Sequence, residues 1–159
     1  MNALSLLARL ALGATFVWLG LAKLGALPEF LKAIREYHLV DHGRAMTFVA
    51  ATLPWVEVFG GALLLLGVAV RGLSLVFLAV LAAVTFAIAQ RGLDVAAADG
   101  IAFCAVAFDC GCGTGVENVC RKLSENGALM VCALLVLFSR GGLRFGLRPR
   151  LLGGRAAPA

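Results

Sequence analysis

Long apolar runs dominate this sequence and limit its fold more than any other feature. Residues 72–90 contain no charged side chain, and residues 4–24 and 46–70 contain only Arg9, Lys23 and Glu57. Hydrophobic residues make up 62% of the 159 and charged residues 14%, whereas a soluble domain is about half apolar and a quarter charged. Because one small core cannot bury so many apolar side chains, the sequence predicts a small integral membrane domain. It excludes a water-soluble monomer, a disordered chain and a nucleic-acid-binding module, so we expect the lipid bilayer as a partner and no nucleic acid.

Segments long and apolar enough to cross a bilayer occur in several places, since about 20 apolar residues span the hydrocarbon core. We predict four transmembrane helices, at about residues 4–24, 46–70, 72–90 and 118–139. The first lacks a small-x-small cleavage site and is expected to stay uncleaved. The fold class is therefore an all-α, four-helix membrane bundle over residues 1–140 with a basic tail at 141–159. The apolar stretch Val95–Phe108 is too short to span, and we expect an interfacial or re-entrant segment there.

The charged residues predict the orientation of this bundle. One side carries seven basic and no acidic residues, namely Arg9, Arg71 and the five arginines after Phe138. The other side carries seven basic and eight acidic residues. Because the basic counts are equal, the orientation depends on the acid-free tail and on the short second link. We expect both termini in the cytoplasm and the loop between helices 3 and 4 outside.

That loop contains four of the five cysteines of the chain, Cys104, Cys110, Cys112 and Cys120, which are the candidate catalytic residues. Alternating glycines around Cys110 and Cys112 favour exposed sulfurs, and a Cys-x-Cys disulfide closes a tight, exchange-prone ring. Cys104 and Cys120 flank this pair and are candidates for a second couple. Static disulfides remain open as an alternative, as does metal ligation, although the one-residue gap is not the usual zinc spacing. Cys132 lies in the predicted fourth helix, as an ordinary small apolar residue.

Polar and aromatic residues near the outer side form a second candidate site. Arg121 and Lys122 follow Cys120 and would favour a nearby thiolate, which Asp109 would oppose. Glu57 lies within an apolar run, where a carboxylate needs a partner, and Lys23 is the nearest candidate in depth. The pair is either an ion pair that joins two helices or a proton-handling group. Trp18 and Trp55 are either interfacial anchors or, with Lys23 and Glu57, a quinone pocket.

Several short motifs together resemble the DoxX/MauE group of small bacterial membrane proteins. Residues 18–23 resemble its W-x-G-x-x-K helix ending, and Phe30, Ile34 and Tyr37 fit the F…I…Y segment that follows. Residues 53–57 match L-P-W-x-E, and residues 91–94 resemble the approach to the cysteine loop. Residues 109–113 resemble the MauE-type D-C-G-C-F-G. The resemblance covers about residues 4–140.

This resemblance implies a redox-associated, multi-pass protein of the bacterial inner (cytoplasmic) membrane with a periplasmic cysteine loop. The MauE branch is implicated in maturing methylamine dehydrogenase, so a periplasmic thioredoxin-like or disulfide-rich partner is expected. By resemblance, Cys110 and Cys112 are the best redox candidates, and quinone is a candidate electron acceptor. The chain is thus a candidate thiol–disulfide oxidoreductase. The alternative is a non-catalytic membrane subunit or assembly factor whose disulfides are structural. Cys104 and Cys120 lie outside the simple family pattern and suggest a relay of two couples.

Overall fold

The apolar runs of the sequence fold into helices, as their length and helix-forming residues predict. The computed structural model describes residues 3–36, 43–109 and 115–139. In these ranges the helices are α1 (Ala3–Gly25), α2 (Leu27–Glu36), α3 (Gly43–Leu66), α4 (Val70–Asp99) and α5 (Val119–Phe138). A 3₁₀ turn (Phe103–Ala105) and the strands β1 (Ala107–Asp109) and β2 (Val116–Asn118) connect α4 to α5. The predicted, mostly helical architecture is confirmed.

Helix length and an apolar exterior mark the chain as a membrane protein. By length and composition α1 and α4 can each cross a membrane, and Ala50–Leu66 of α3 is a shorter apolar helix. Large apolar side chains cover the outside of the helices, where water would be an unfavourable neighbour. Examples are Leu7, Trp18, Phe48, Phe59, Phe86 and Phe138. A lipid bilayer is the environment that suits such a surface.

The helices pack as two antiparallel pairs, α1 with α3 and α4 with α5. We call the end where α1 and α4 begin the lower end, and the opposite end the upper end. The main apolar core occupies the lower half, where the rings of Phe16 and Phe77 stack with their centroids 3.8 Å apart. In the upper half Asn126 donates to the hydroxyl of Thr85, linking α5 to α4. A second, smaller apolar core of Ile88, Val106 and Val119 lies above it.

Facing glycines set the distance between α1 and α3. A Cβ added at Gly61 would lie 2.7 Å from the carbonyl oxygen of Gly13, and one added at Gly13 would lie 3.0 Å from the carbonyl oxygen of Gly61. The two backbones are therefore in direct contact, which small residues allow in packed membrane helices.

Replacing Gly61 with alanine is expected to destabilise the protein by about 1–3 kcal/mol, since the added methyl meets rigid backbone. The matched control is Gly127→Ala in α5, where the added Cβ meets nothing within 4 Å. There alanine should stabilise the helix by about 0.5–1 kcal/mol. Detergent-titration unfolding of both variants measures the difference, and equal stabilities would refute the close contact.

Helix α4, which corresponds to the third predicted span, is longer than predicted. The predicted span at 72–90 lies inside the longer α4, which continues to Asp99. Residues 95–98 are Val-Ala-Ala-Ala, which favour helix, so the expected interfacial or re-entrant segment at Val95–Phe108 is wrong for its first five residues. The helix ends at Gly100, whose φ of 65° is the left-handed conformation common after helices and whose N–H donates to Ala96.

A small hairpin also departs from the all-α prediction. β1 and β2 pair antiparallel, with Phe108 opposite Glu117 and Asp109 opposite Val116. The glycines and the exposed positions of this region do not support another helical turn. The helix after the hairpin begins at Val119 and ends at Phe138, within one residue of the predicted 118–139.

Candidate functional site

The upper end of the bundle carries a disulfide between Cys104 and Cys120, with their Cα atoms 5.1 Å apart. Residues 103–109 and 115–122, which surround this bond, are here called the cysteine cap. Cys104 belongs to the 3₁₀ turn and is exposed, whereas Cys120 lies in the first turn of α5 and is half-buried. The disulfide therefore ties the segment after α4 to the start of α5, with one of its cysteines facing outward.

Gly92 of α4 allows the cysteine cap to pack closely on the bundle. A Cβ there would lie 2.9 Å from the ring of Phe103 and 3.0 Å from a methyl of Val119. The guanidinium of the neighbouring Arg91 lies over the ring of Phe108, 5.5 Å from its centroid. Residues 91 and 92, which begin the motif at residues 91–94, thus hold the base of the cap.

Asn118 connects the two cysteines through the backbone. Its Oδ1 accepts hydrogen bonds from the N–H groups of Cys120 (3.0 Å) and Arg121 (3.3 Å), which caps α5. Its Nδ2 donates to the carbonyl of Cys104. The backbone N–H of Val119 also donates to Val106, at 3.0 Å. Asn118 is not among the residues predicted above, although asparagine directly before a helix is a recognised capping signal.

Two substitutions separate the roles of Asn118. Asn118→Ala removes the cap and is expected to destabilise the cysteine cap by about 1 kcal/mol, with faster hydrogen exchange at the amides of Cys120 and Arg121. Asn118→Asp keeps the capping oxygen and loses only the donation to Cys104, so those two amides should stay protected. Equal exchange rates at these amides in the wild type and in both variants would contradict the assigned capping bond.

Cations beside Cys120 are paired with carboxylates. Lys122, with a side chain only 8% exposed, lies 3.3 Å from Glu117 and 3.5 Å from Glu125. Arg121 pairs with Glu125 at 3.0 Å on the exposed side of α5. These cations are predicted to favour a nearby thiolate, but the carboxylates of Glu117 and Glu125 largely balance their charges. Their main contribution is to fix the first turns of α5.

Cys110 and Cys112, the leading redox candidates from the sequence, lie outside the described residues. The segment 110–114 connects β1 to β2, whose last described pair is Asp109 with Val116. The hairpin that carries this segment belongs to the same cysteine cap as the disulfide. Cys132, the remaining cysteine, is a free thiol packed beside the lower apolar core, as predicted.

The Lys23–Glu57 pair joins α1 and α3 near the upper end. Nζ of Lys23 lies 2.6 Å from each carboxylate oxygen, and the two residues are 6% and 3% exposed. Lys23 also lies over the ring of Phe30, 5.6 Å from its centroid. The ion pair, which is one of the two predicted roles of these residues, is therefore present.

The local sequence explains how two such residues meet. A Cβ at Gly20 would lie 2.8 Å from the carbonyl oxygen of Pro54, so glycine is needed for the approach of the helices one turn below Lys23. Residues 18–23 and 53–57, the two motifs quoted above, thus meet across one helix interface. Their Gly and Pro positions set the contact that their Lys and Glu positions complete.

Trp18 and Trp55 do not share the burial of that pair. Their side chains are 58% and 50% exposed, and Trp55 stacks on Phe59 with centroids 5.7 Å apart. Exposed rings on apolar helices suit contact with lipid or with a bound ring.

A family comparison covers every residue that the structure describes. Residues 1–139 match the model of a family described as Methylamine utilisation protein MauE. Searches of curated proteins and of solved structures give no significant match. The matched range includes both helix pairs, the cysteine cap and the Lys23–Glu57 pair.

Proposed function

This membrane protein belongs to the methylamine utilisation protein MauE family, and on that premise we propose that it is a thiol–disulfide redox protein. In this proposal the Cys110/Cys112 couple exchanges with a periplasmic thioredoxin-like or disulfide-rich partner. The Cys104/Cys120 couple acts as the second stage of the relay. The protein thereby supports the maturation of periplasmic proteins.

The observation that carries this proposal is the Cys104–Cys120 disulfide, with Cys104 exposed. Exposed disulfides are the ones that thiolates can attack, whereas buried structural bonds are protected from them. The hairpin that bears residues 110–114 is bonded to the same turn and the same helix end as this disulfide, through Val119 and Val106. Asp109 and Gly115, the described residues that flank segment 110–114, therefore lie in the same small region as the disulfide.

The exchange balances as an internal transfer of two electrons. A thiolate of the reduced Cys110/Cys112 pair attacks one sulfur of the Cys104–Cys120 bond, which forms a mixed disulfide and releases the other sulfur as a thiolate. The second thiol of the attacking pair resolves the mixed disulfide. Cys110 and Cys112 end as a disulfide and Cys104 and Cys120 as a dithiol, with two protons transferred. A reduced partner then restores the Cys110/Cys112 dithiol.

Quinone is the proposed acceptor that reoxidises Cys104 and Cys120, since it takes up two electrons and two protons when bound. Lys23, Glu57, Trp18 and Trp55 are the residues that would hold it. Lysine has three N–H donors, and among the described residues Lys23 directs two of them at Glu57, so that one is left for a carbonyl oxygen. The exposed tryptophan rings offer apolar faces at the same level of α1 and α3.

The membrane placement is part of the proposal. Four spans, formed by α1, α3, α4 and α5 in the inner membrane, would put both termini in the cytoplasm and the cysteine cap in the periplasm. The length and apolar surface of α1 and α4 support it, as does the antiparallel order of the two helix pairs. The acid-free lower end supports the orientation by the positive-inside rule.

The test uses single serine variants that trap the relay. In Cys110→Ser or Cys112→Ser, the remaining cysteine can still form a mixed disulfide, but the second thiol that would resolve this bond is missing. We expect a mixed disulfide with Cys104 or Cys120 to accumulate, visible by alkylation and peptide mass mapping of the full chain. Cys132→Ser is the matched control, because it removes a thiol outside the cysteine cap.

A second candidate function is a non-catalytic subunit whose disulfide is a static staple. The bond from Asn118 to the carbonyl of Cys104 favours it, since the same two segments are already held together. In that case no mixed disulfide forms in either serine variant, and Cys104–Cys120 stays oxidised in mild dithiol. That result would refute the redox proposal, and co-purification with a larger complex would then identify the subunit role.

A further inference from the structure

Arg9 is a buried cation in the lower half of α1. The residue is 6% exposed, and its buried Nε and Nη1 atoms have no hydrogen-bond partner among the described residues. Arginine keeps its proton in proteins, so it cannot neutralise itself as a buried lysine can. An unmatched charge in such a site is costly, which points to a missing anionic partner.

The surroundings of Arg9 supply further donors for an anion. One turn above it, Gly13 contacts Gly61 and Leu65 of the antiparallel α3, so Arg9 lies level with the end of α3. Ser5, one turn below on the same face, is 8% exposed and carries a hydroxyl. Side chains on a helix lean toward its N-terminus, which directs the Arg9 guanidinium toward the lower end.

The beginning of α4 lies at the same level. Val70, its first residue, belongs to the same apolar core as Ala8 and Leu12, the neighbours of Arg9 on α1. The residue before it, Ala69, provides no side-chain cap, so the first N–H groups of α4 have no such acceptor. A helix N-terminus carries partial positive charge, and it adds to the positive potential around Arg9.

Among the described residues, no carboxylate lies in the lower half of the helices to balance this charge. All nine acidic residues lie between residues 29 and 125, and none occurs in 58–93 or after 125. The lower halves of all the spanning helices therefore lack acids. Glu57, the acid nearest the middle of the bundle, is paired with Lys23 near the opposite end.

We propose that Arg9 is the centre of a binding site for an anionic phosphate group at the lower end of the bundle. The planar guanidinium holds the phosphate through two parallel N–H bonds, as this geometry favours. Ser5 and the start of α4 add neutral donors. The phosphate comes from a phospholipid headgroup of the adjacent leaflet or from free phosphate, which share this chemistry.

The experiment compares the full chain purified in detergent with its Arg9→Gln, Arg9→Lys and Arg71→Gln variants. Arg71 is the matched control, because its side chain is exposed at the same end and the substitution keeps the backbone N–H groups at the start of α4. Phosphatidylglycerol, phosphatidylcholine and inorganic phosphate are titrated in separate arms. Binding is followed by the melting temperature and by lipid adducts in native mass spectrometry.

We expect phosphatidylglycerol to raise the melting temperature of the wild type and of Arg71→Gln. Arg9→Gln should bind it about tenfold more weakly, as expected for one lost charged contact, and Arg9→Lys should fall between them. If inorganic phosphate also raises the melting temperature, free phosphate is sufficient for binding. If only phosphatidylglycerol raises it, the site binds the lipid headgroup. If Arg9→Gln fails to fold, the weaker binding expected for Arg9→Lys tests the proposal. Unchanged binding in the Arg9 variants, or no effect of either anion on the wild type, would overturn the proposal.

Discussion

Replacing Glu57 with leucine is expected to destabilise the protein by about 3–5 kcal/mol, because the ammonium of Lys23 is then left buried without a counter-charge. Lys23 and Glu57 are 6% and 3% exposed, so solvent cannot compensate for the loss. The effect is measured as the free energy of unfolding in a detergent titration of the purified chain. It is among the largest effects we expect from one substitution.

Two controls separate the ion pair from general damage. The double variant Lys23→Met/Glu57→Leu removes both charges and should recover most of the lost stability, since an apolar pair in a buried site is often as stable as an ionic one. Arg121→Gln removes a cation whose side chain is 70% exposed, and it should cost less than about 1 kcal/mol. A double variant as unstable as Glu57→Leu would contradict the assignment of the cost to an unpaired charge.

Removing the disulfide with Cys104→Ser/Cys120→Ser is expected to destabilise the cysteine cap by about 3 kcal/mol. The bond closes a loop with a sequence separation of 16, and loops of about this length gain roughly that much from cross-linking. Hydrogen exchange at the amide of Val119, which donates to Val106, reports the loss locally. The amides in the lower half of α4 should stay protected.

Cys132→Ala is the control for the number of thiols. Cys132 is a free cysteine beside the lower core, so its replacement should leave the exchange rate of Val119 unchanged. If the double serine variant also leaves that rate unchanged, then the hydrogen bonds of Asn118 and Val106 hold the cap without the disulfide. In that case the stabilising role assigned to the bond is wrong.

The sequence predicted those features whose signal is local and strong. Long apolar runs located the helices, and a single carboxylate in such a run identified Glu57 and its partner Lys23. The predicted span ends at residue 90, whereas α4 continues to Asp99. Hydropathy alone places a boundary at the charged residues Arg91 and Asp94, although the alanines that follow them continue the helix. Strands of three residues are too short to produce a visible alternation, so the hairpin was missed as well.

The sequence identifies which residues belong to the candidate site, but it does not show how they are paired or packed. Four loop cysteines allow three pairings, and spacing does not choose among them. The roles of Gly20 and Gly92 depend on which helix approaches each glycine, and that information exists only in three dimensions. Asn118 was the exception, since its capping signal was in the sequence.

The pairing of α1 with α3 and of α4 with α5 also has a consequence for biogenesis. Each pair joins long helices that lie near one another in the chain, so the first pair is translated before α4. Lys23 is synthesised 34 residues before Glu57, its counter-ion. The ion pair that joins α1 to α3 can therefore form only after the Glu57 turn of α3 has been made.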